Sequence, residues 1–225
     1  MYPTSSQSMN MILGQILTND VLDKRILTAL NTIKREDFLP AHLHGCAYVD
    51  EDLDVGNGRF LLEPLTFARM LQLSEITPAC RVLCVGALSG YSAAVLAWLA
   101  SHIVTTEIDA EYVKQIRTNL AKLHLTNVDV QQVKSLADGY ALSAPYDVIL
   151  VNGAIDFVPE DLASQLAING RLVAVHRKSL RPGSNMGLGK LLLVKRVGNQ
   201  LQSREYFDCG AALLPNFERN ASFKF

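Results

Sequence analysis

The sequence is short of nearly every feature that marks a secreted, membrane-spanning or nucleic-acid-binding protein. Its four cysteines (Cys46, Cys80, Cys84, Cys209) form no C-x-x-C pair. That argues against the common zinc and dithiol patterns and predicts free, mostly buried thiols in a reducing, cytoplasmic setting. No apolar run reaches the roughly 18 residues of a membrane span. Met1 to Ser8 is polar and lacks the basic and apolar regions of a secretory leader. Neither sign of charge is in excess: 21 Lys and Arg stand against 22 Asp and Glu, for a net charge of −1. Nucleic acid and anionic membrane are therefore not expected partners. Aromatic residues are 7%, with a single Trp, and there is no internal repeat or low-complexity stretch.

What the chain does have is apolar residues, 49% of 225, enough to bury the core of one sizeable α/β domain. The expected unit is residues 1–225, with a helical and loop segment over 1–63 and a Rossmann-like core over 64–225. Val21, Leu22, Ile26, Leu27, Leu30 and Ile33 recur at helical spacing behind a cap at Asn19-Asp20. Asp50 to Gly58 reads as an acidic loop, and Pro64 opens a helix running to about Leu73. Strands and helices then alternate: strand 81–85, helix 89–100, strand 103–107, a helix capped by Asp109, and strand 128–132. Strand 147–151, helix 159–167 and strand 171–176 complete the series. Short apolar strands between amphipathic helices predict a doubly wound, mostly parallel sheet. The tail breaks this rhythm, because 189–197 and 201–207, joined at Gly198-Asn199, read as an antiparallel hairpin.

The most informative stretch is Arg81-Val-Leu-Cys-Val-Gly-Ala-Leu-Ser-Gly-Tyr91. An apolar strand enters a turn at Gly86, Ser89 and Gly90 and leaves as a helix, an arrangement that presents backbone N–H groups to a cofactor. Glu107, at the end of the next strand, stands where a carboxylate can accept hydrogen bonds from ribose hydroxyls. Cys84 and Leu88 occupy the positions where that pattern wants an acid and a glycine. A parallel sheet ending in a β-hairpin is the architecture of many S-adenosylmethionine-dependent methyltransferases.

Ordered motifs sharpen this. Arg35-Glu-Asp-Phe-Leu-Pro40, Ala47-Tyr-Val-Asp50, Leu53-x-Val-Gly-x-Gly58, Gly90-Tyr-Ser-Ala-Ala-Val-Leu-Ala97, Ala144-Pro-Tyr-Asp147 and Gln165-Leu-x-x-x-Gly-Arg-Leu-Val173 follow one another along the chain. Over roughly residues 15 to 175 the sequence resembles the protein-L-isoaspartate O-methyltransferase family. The resemblance implies transfer of a methyl group from S-adenosylmethionine to isoaspartyl carboxylates of damaged proteins, without a metal. It places Gly86, Ser89, Gly90 and Glu107 at the cofactor. Arg59, Phe60, Leu62 and Glu63 fall on the acceptor side, where the family's Q-T-I-S-Q-P here reads Arg59-Phe-Leu-Leu-Glu-Pro64.

The family's serine is thus Leu62 and its threonine Phe60. The family's E-I-G-T-G-S-G-Y becomes Cys84-Val-Gly-Ala-Leu-Ser-Gly-Tyr91, and its G-D-G falls on Lys134-Ser135-Leu136. These departures leave two alternatives: a non-catalytic protein of methyltransferase fold that binds a ligand or partner, and a methyltransferase with a different, less polar acceptor. The His42-x-His44-x-Cys46 run is read as structural, Arg177, Lys178 and Arg181 as a solvated basic turn, and Trp98 and Cys80 as core packing.

Overall fold

The computed structural model describes residues 6–180 and 186–219. Its centre is a seven-stranded sheet. The strands are β3 (Arg81–Val85), β4 (His102–Glu107), β5 (Val128–Gln132), β6 (Tyr146–Ile155), β7 (Leu166–Leu180), β8 (Met186–Val197) and β9 (Gln200–Ala212), in the order β5-β4-β3-β6-β7-β8-β9. The first five positions in that order are parallel, and β7, β8 and β9 pair antiparallel. A separate two-stranded pair, β1 (Leu53–Gly56) with β2 (Arg59–Leu61), lies ahead of it.

Continuous apolar runs at 82–85, 148–151 and 172–175 make the central strands β3, β6 and β7 buried on both faces, whereas the outermost strands β5 and β9 are more exposed. Val82, Cys84, Val148, Leu150, Val173 and Val175 pack into one core layer. Their neighbours Leu83, Val85, Ile149, Val151, Leu172 and Ala174 pack into the other. The helices are α1 (Ser6–Met11), α2 (Lys24–Thr32), α3 (Pro64–Ser74), α4 (Tyr91–Leu99), α5 (Ala110–Lys122) and α6 (Glu160–Ser164). The chain leaves β3 toward β5 and then crosses to β6 on the other side of β3. Strand order therefore reverses at β3 and β6, where open α/β sheets bind ligands beyond the carboxyl ends of their strands.

Several local expectations need correction. Asp20 does not cap the start of α2: it closes a 3-10 turn at φ 61, and Asp23 caps α2 by accepting from the Arg25 N–H. Part of 50–58 is strand β1 and not loop, because Leu53 and Asp54 pair with Leu61 and Phe60. Helix 159–167 stops at Ser164, since Leu166 is captured by the sheet opposite Tyr146. Arg177 and Lys178 belong to β7 and ion-pair with Asp156 and Glu205, so they are not a free basic turn; Arg181 lies outside the described residues. Trp98 is 43% exposed, on the outward side of α4. Of the four thiols only Cys84 is fully buried.

Candidate active site

The loop after β3 is shaped by three residues in the left-handed region: Gly86 at φ +72, Leu88 at φ +55 and Gly90 at φ +100. Glycine reaches that region freely, whereas leucine pays a steric penalty of ~1–2 kcal/mol. Leu88 thus holds a glycine's backbone while adding a side chain that is only 3% exposed. Two backbone bonds fix the turn, from Gly86 N–H to the Thr106 carbonyl at 3.0 Å and from Gly90 N–H to the Ala87 carbonyl at 2.8 Å. Gly90 has a packing role, because a Cβ there would come within 3.3 Å of the Ile116 backbone on α5. The Ser89 hydroxyl turns away from the strand ends and donates to the Phe38 carbonyl at 2.6 Å.

Glu107 ends β4 with no exposed surface. Arg59 donates to it through both terminal nitrogens, Nη1 to Oε1 and Nη2 to Oε2, each at 2.8 Å. The Leu88 N–H reaches Oε2 at 3.0 Å and the Ile108 N–H reaches Oε1 at 2.9 Å. A bidentate guanidinium–carboxylate pair of this kind is among the stronger polar contacts in proteins. Arg59 comes from β2, in the segment that the sequence places on the acceptor side.

Cys84 stands where the cofactor pattern wants an acid, and it forms a neutral buried node. Asn152 donates to its sulfur at 3.0 Å and the Ser92 hydroxyl lies at 3.4 Å. Burial pushes the thiol up, so it is un-ionised and inert at neutral pH. At the end of β5, Ser135 leads into a 3-10 turn whose first N–H, from Leu136, is taken by the Asn216 side chain at 3.1 Å.

The acceptor segment meets the loop. Phe60, Leu61 and Leu62 close with Ala87, Leu88 and Asn152 around a cavity of about 10 Å³, no more than one water needs. Leu62 itself is 5% exposed. Its carbonyl accepts from Arg35, a fully buried guanidinium stacked 5.1 Å over the Tyr91 ring. Glu63 points away from the cavity and accepts from the Thr66 hydroxyl, while its backbone N–H donates to Asp52 at 2.7 Å. A larger hollow of about 230 Å³ lies on the outer side of Leu88, lined by Ser89, Asp109 and Tyr112.

The structure brings together the loop, Glu107 and the 59–62 segment that the sequence singles out, and adds Arg35, Asn152 and Leu214, which the sequence does not. Leu214 and Leu136 lie 3.2 and 3.4 Å from where a Cβ on Gly86 would sit. They fill the space beside the glycine. Nothing local in the sequence marks a residue so far along the chain as part of this site. Tested against S-adenosylmethionine, the loop and the Glu107 carboxylate suit the nucleoside end of that molecule, on condition that Arg59 leaves Glu107.

Comparison with known proteins supplies the family and the fold. The family model described as Protein-L-isoaspartate(D-aspartate) O-methyltransferase matches residues 7–181. A protein-L-isoaspartate O-methyltransferase of Methanoregula boonei is 41% identical over 199 residues, covering 88% of each chain. That of Koribacter versatilis is 37% identical over 199 residues, covering 88% of this chain and 86% of its own. A solved protein-L-isoaspartate O-methyltransferase superposes with a TM-score of 0.77 at 22% identity, covering 92% of this chain and 65% of that one. A Plasmodium falciparum β-aspartate methyltransferase structure, in complex with S-adenosyl-L-homocysteine, superposes with a TM-score of 0.72 at 16% identity. The match covers 96% of this chain and 98% of that one. At those identities the two structures speak for the fold, and the sequence matches for the family. By fold, by ordered motifs and by identity over most of its length, the chain belongs to the protein-L-isoaspartate O-methyltransferase family.

Proposed function

We propose that this chain transfers a methyl group from S-adenosylmethionine to isoaspartyl carboxylates, at the carboxyl ends of β3 and β4. The observation that carries the reading is the loop at 86–90. It keeps three left-handed positions even where one is a leucine, and its Leu88 N–H helps aim the buried Glu107 carboxylate. Gly86 and the Leu88 backbone would lie along the donor, and Glu107 would accept from its ribose hydroxyls. When bound, S-adenosylmethionine supplies an electrophilic methyl group. An acceptor carboxylate is already a nucleophile, so the chain's task is positioning and needs no general base. Phe60, Leu61 and Leu62 exclude water from the space between loop and acceptor segment, and Arg35 fixes that segment through the Leu62 carbonyl. The setting that suits four unpaired thiols is the reducing cytoplasm.

A second reading is favoured by the same cavity: its small volume, together with Leu62 at the serine position, suits a non-catalytic relative that keeps the fold to bind a ligand or partner. A third, transfer to a less polar acceptor, draws on the apolar Phe60-Leu61-Leu62 wall. Calorimetric titration of S-adenosylmethionine followed by transfer assays on isoaspartyl and normal aspartyl peptides separates them. Binding with selective methylation of the isoaspartyl peptide supports the first reading. Binding without transfer points to another acceptor, and no binding at millimolar concentration leaves the non-catalytic protein.

A further inference from the structure

We propose that Arg59 is the residue that sets this chain's affinity for its methyl donor, by holding on Glu107 the positions that the donor's ribose hydroxyls need; this rests on the donor reading above. A carboxylate has about four lone-pair sites. On Glu107 all four are taken, two by Arg59 Nη1 and Nη2 and two by the backbone N–H groups of Leu88 and Ile108. A ribose diol can gain its two hydrogen bonds only by displacing two of these donors.

The backbone donors belong to the loop and to the end of β4 and cannot leave. Arg59 can. It sits on β2 of the two-stranded pair, outside the seven-stranded sheet. The turn ahead of it, Gly56-Asn57-Gly58, has all three residues at positive φ, and all three are exposed. The Arg59 guanidinium carbon also lies 5.4 Å from the Tyr112 ring centre. Donor binding therefore exchanges two bonds from a cationic donor for two from neutral hydroxyls to the same carboxylate, and returns a buried guanidinium, 7% exposed, to water. Losing the ion pair subtracts from donor affinity, and rehydration of the guanidinium offsets that loss only in part. The size of both depends on one side chain, which the family segment carries as glutamine.

The test is calorimetric titration of S-adenosylhomocysteine into the full chain and into Arg59→Gln, with thermal unfolding of both as a second readout. The expected result is binding at least tenfold tighter in the variant, a lower unfolding temperature without ligand, and a larger ligand-induced rise. A purely structural arginine would lower the unfolding temperature and leave affinity unchanged or weakened. Equal or weaker binding by a folded variant overturns the proposal while the donor reading stands. Should Arg59→Gln fail to fold, Arg59→Lys keeps the charge but breaks the fork, and it too must bind more tightly than the parent. If neither the parent nor any folded variant binds at millimolar concentration, the donor reading falls and this proposal with it.

Discussion

Two opposing effects meet at Leu88. Replacing it with glycine relieves a left-handed leucine, which is worth ~1–2 kcal/mol, but deletes a buried side chain worth ~2–5 kcal/mol. Leu88→Gly is therefore expected to destabilise the fold by about 1–3 kcal/mol in urea titration, while opening the donor side of the cavity and strengthening S-adenosylhomocysteine binding. A variant that gains stability would mean that Leu88 packs less well than its burial implies. Leu62→Ser tests the acceptor side. It should cost about 2–4 kcal/mol of stability through the lost apolar side chain and raise methyl transfer to an isoaspartyl peptide, since it returns a hydroxyl beside the Leu88 loop. Unchanged transfer in a folded Leu62→Ser protein would remove the hydroxyl from the list of what this site needs. At this scale the sequence was legible wherever a residue type was missing: Cys84, Leu88 and Leu62 stand out against their neighbours. Arg59 was legible as a member of its segment but not as the partner of Glu107, because 48 residues separate the two.

Among the elements, the β7–β8 pairing makes the sharpest demand. Gly189 sits opposite Arg177 beside an irregularity in register, and a Cβ there would lie 2.2 Å from the His176 carbonyl oxygen. Gly189→Ala must push the two strands apart and is expected to cost about 1–3 kcal/mol, readable as a lower midpoint in thermal unfolding. An unchanged midpoint would mean that the strands slip without loss. Most elements were legible because their signals are local. Alternating short apolar runs gave β3, β4 and β5, Pro64 gave the start of α3, and Asp109 capped α5 by accepting from the Glu111 N–H at 2.8 Å. The miscarried ones share a cause. Helix 159–167 has a helical pattern, but pairing of Leu166 with Tyr146 takes its last turn into the sheet. Residues 53–56 carry turn chemistry, but Leu61 and Phe60 supply a strand partner. In both, a tertiary contact overrode local preference.

At the scale of the whole molecule, Asp52 couples stability to pH. Burial pushes its carboxyl up to about 7; the Glu63 backbone N–H opposes the rise, the Glu63 carboxylate adds to it and Arg35 opposes it. The folded chain therefore holds a proton between pH ~4 and ~7 that the unfolded chain has released. Stability contributed by this group falls as pH rises through that window and is level above it. Asp52→Asn should be compared with the parent by urea unfolding from pH 4 to 8: the variant's relative stability is expected to climb from 4 to 7 and then stay flat. A gap independent of pH would exclude Asp52 as the linked group. By itself the sequence determined the alternation of strands and helices, the glycine loop at 86–90, the carboxylate at the end of β4 and the family, because each is written within a few residues or in ordered short motifs. Only the tertiary structure decided that Arg59 lies on Glu107, that Arg35 holds the Leu62 carbonyl and that Leu136 and Leu214 fill the space at Gly86. Such contacts join positions far apart in the chain, as between Gly86 and Leu214 or Leu136 and Asn216. Which of many possible partners meet is set by how the sheet closes and by the cost of leaving a buried charge unpaired, not by any local pattern.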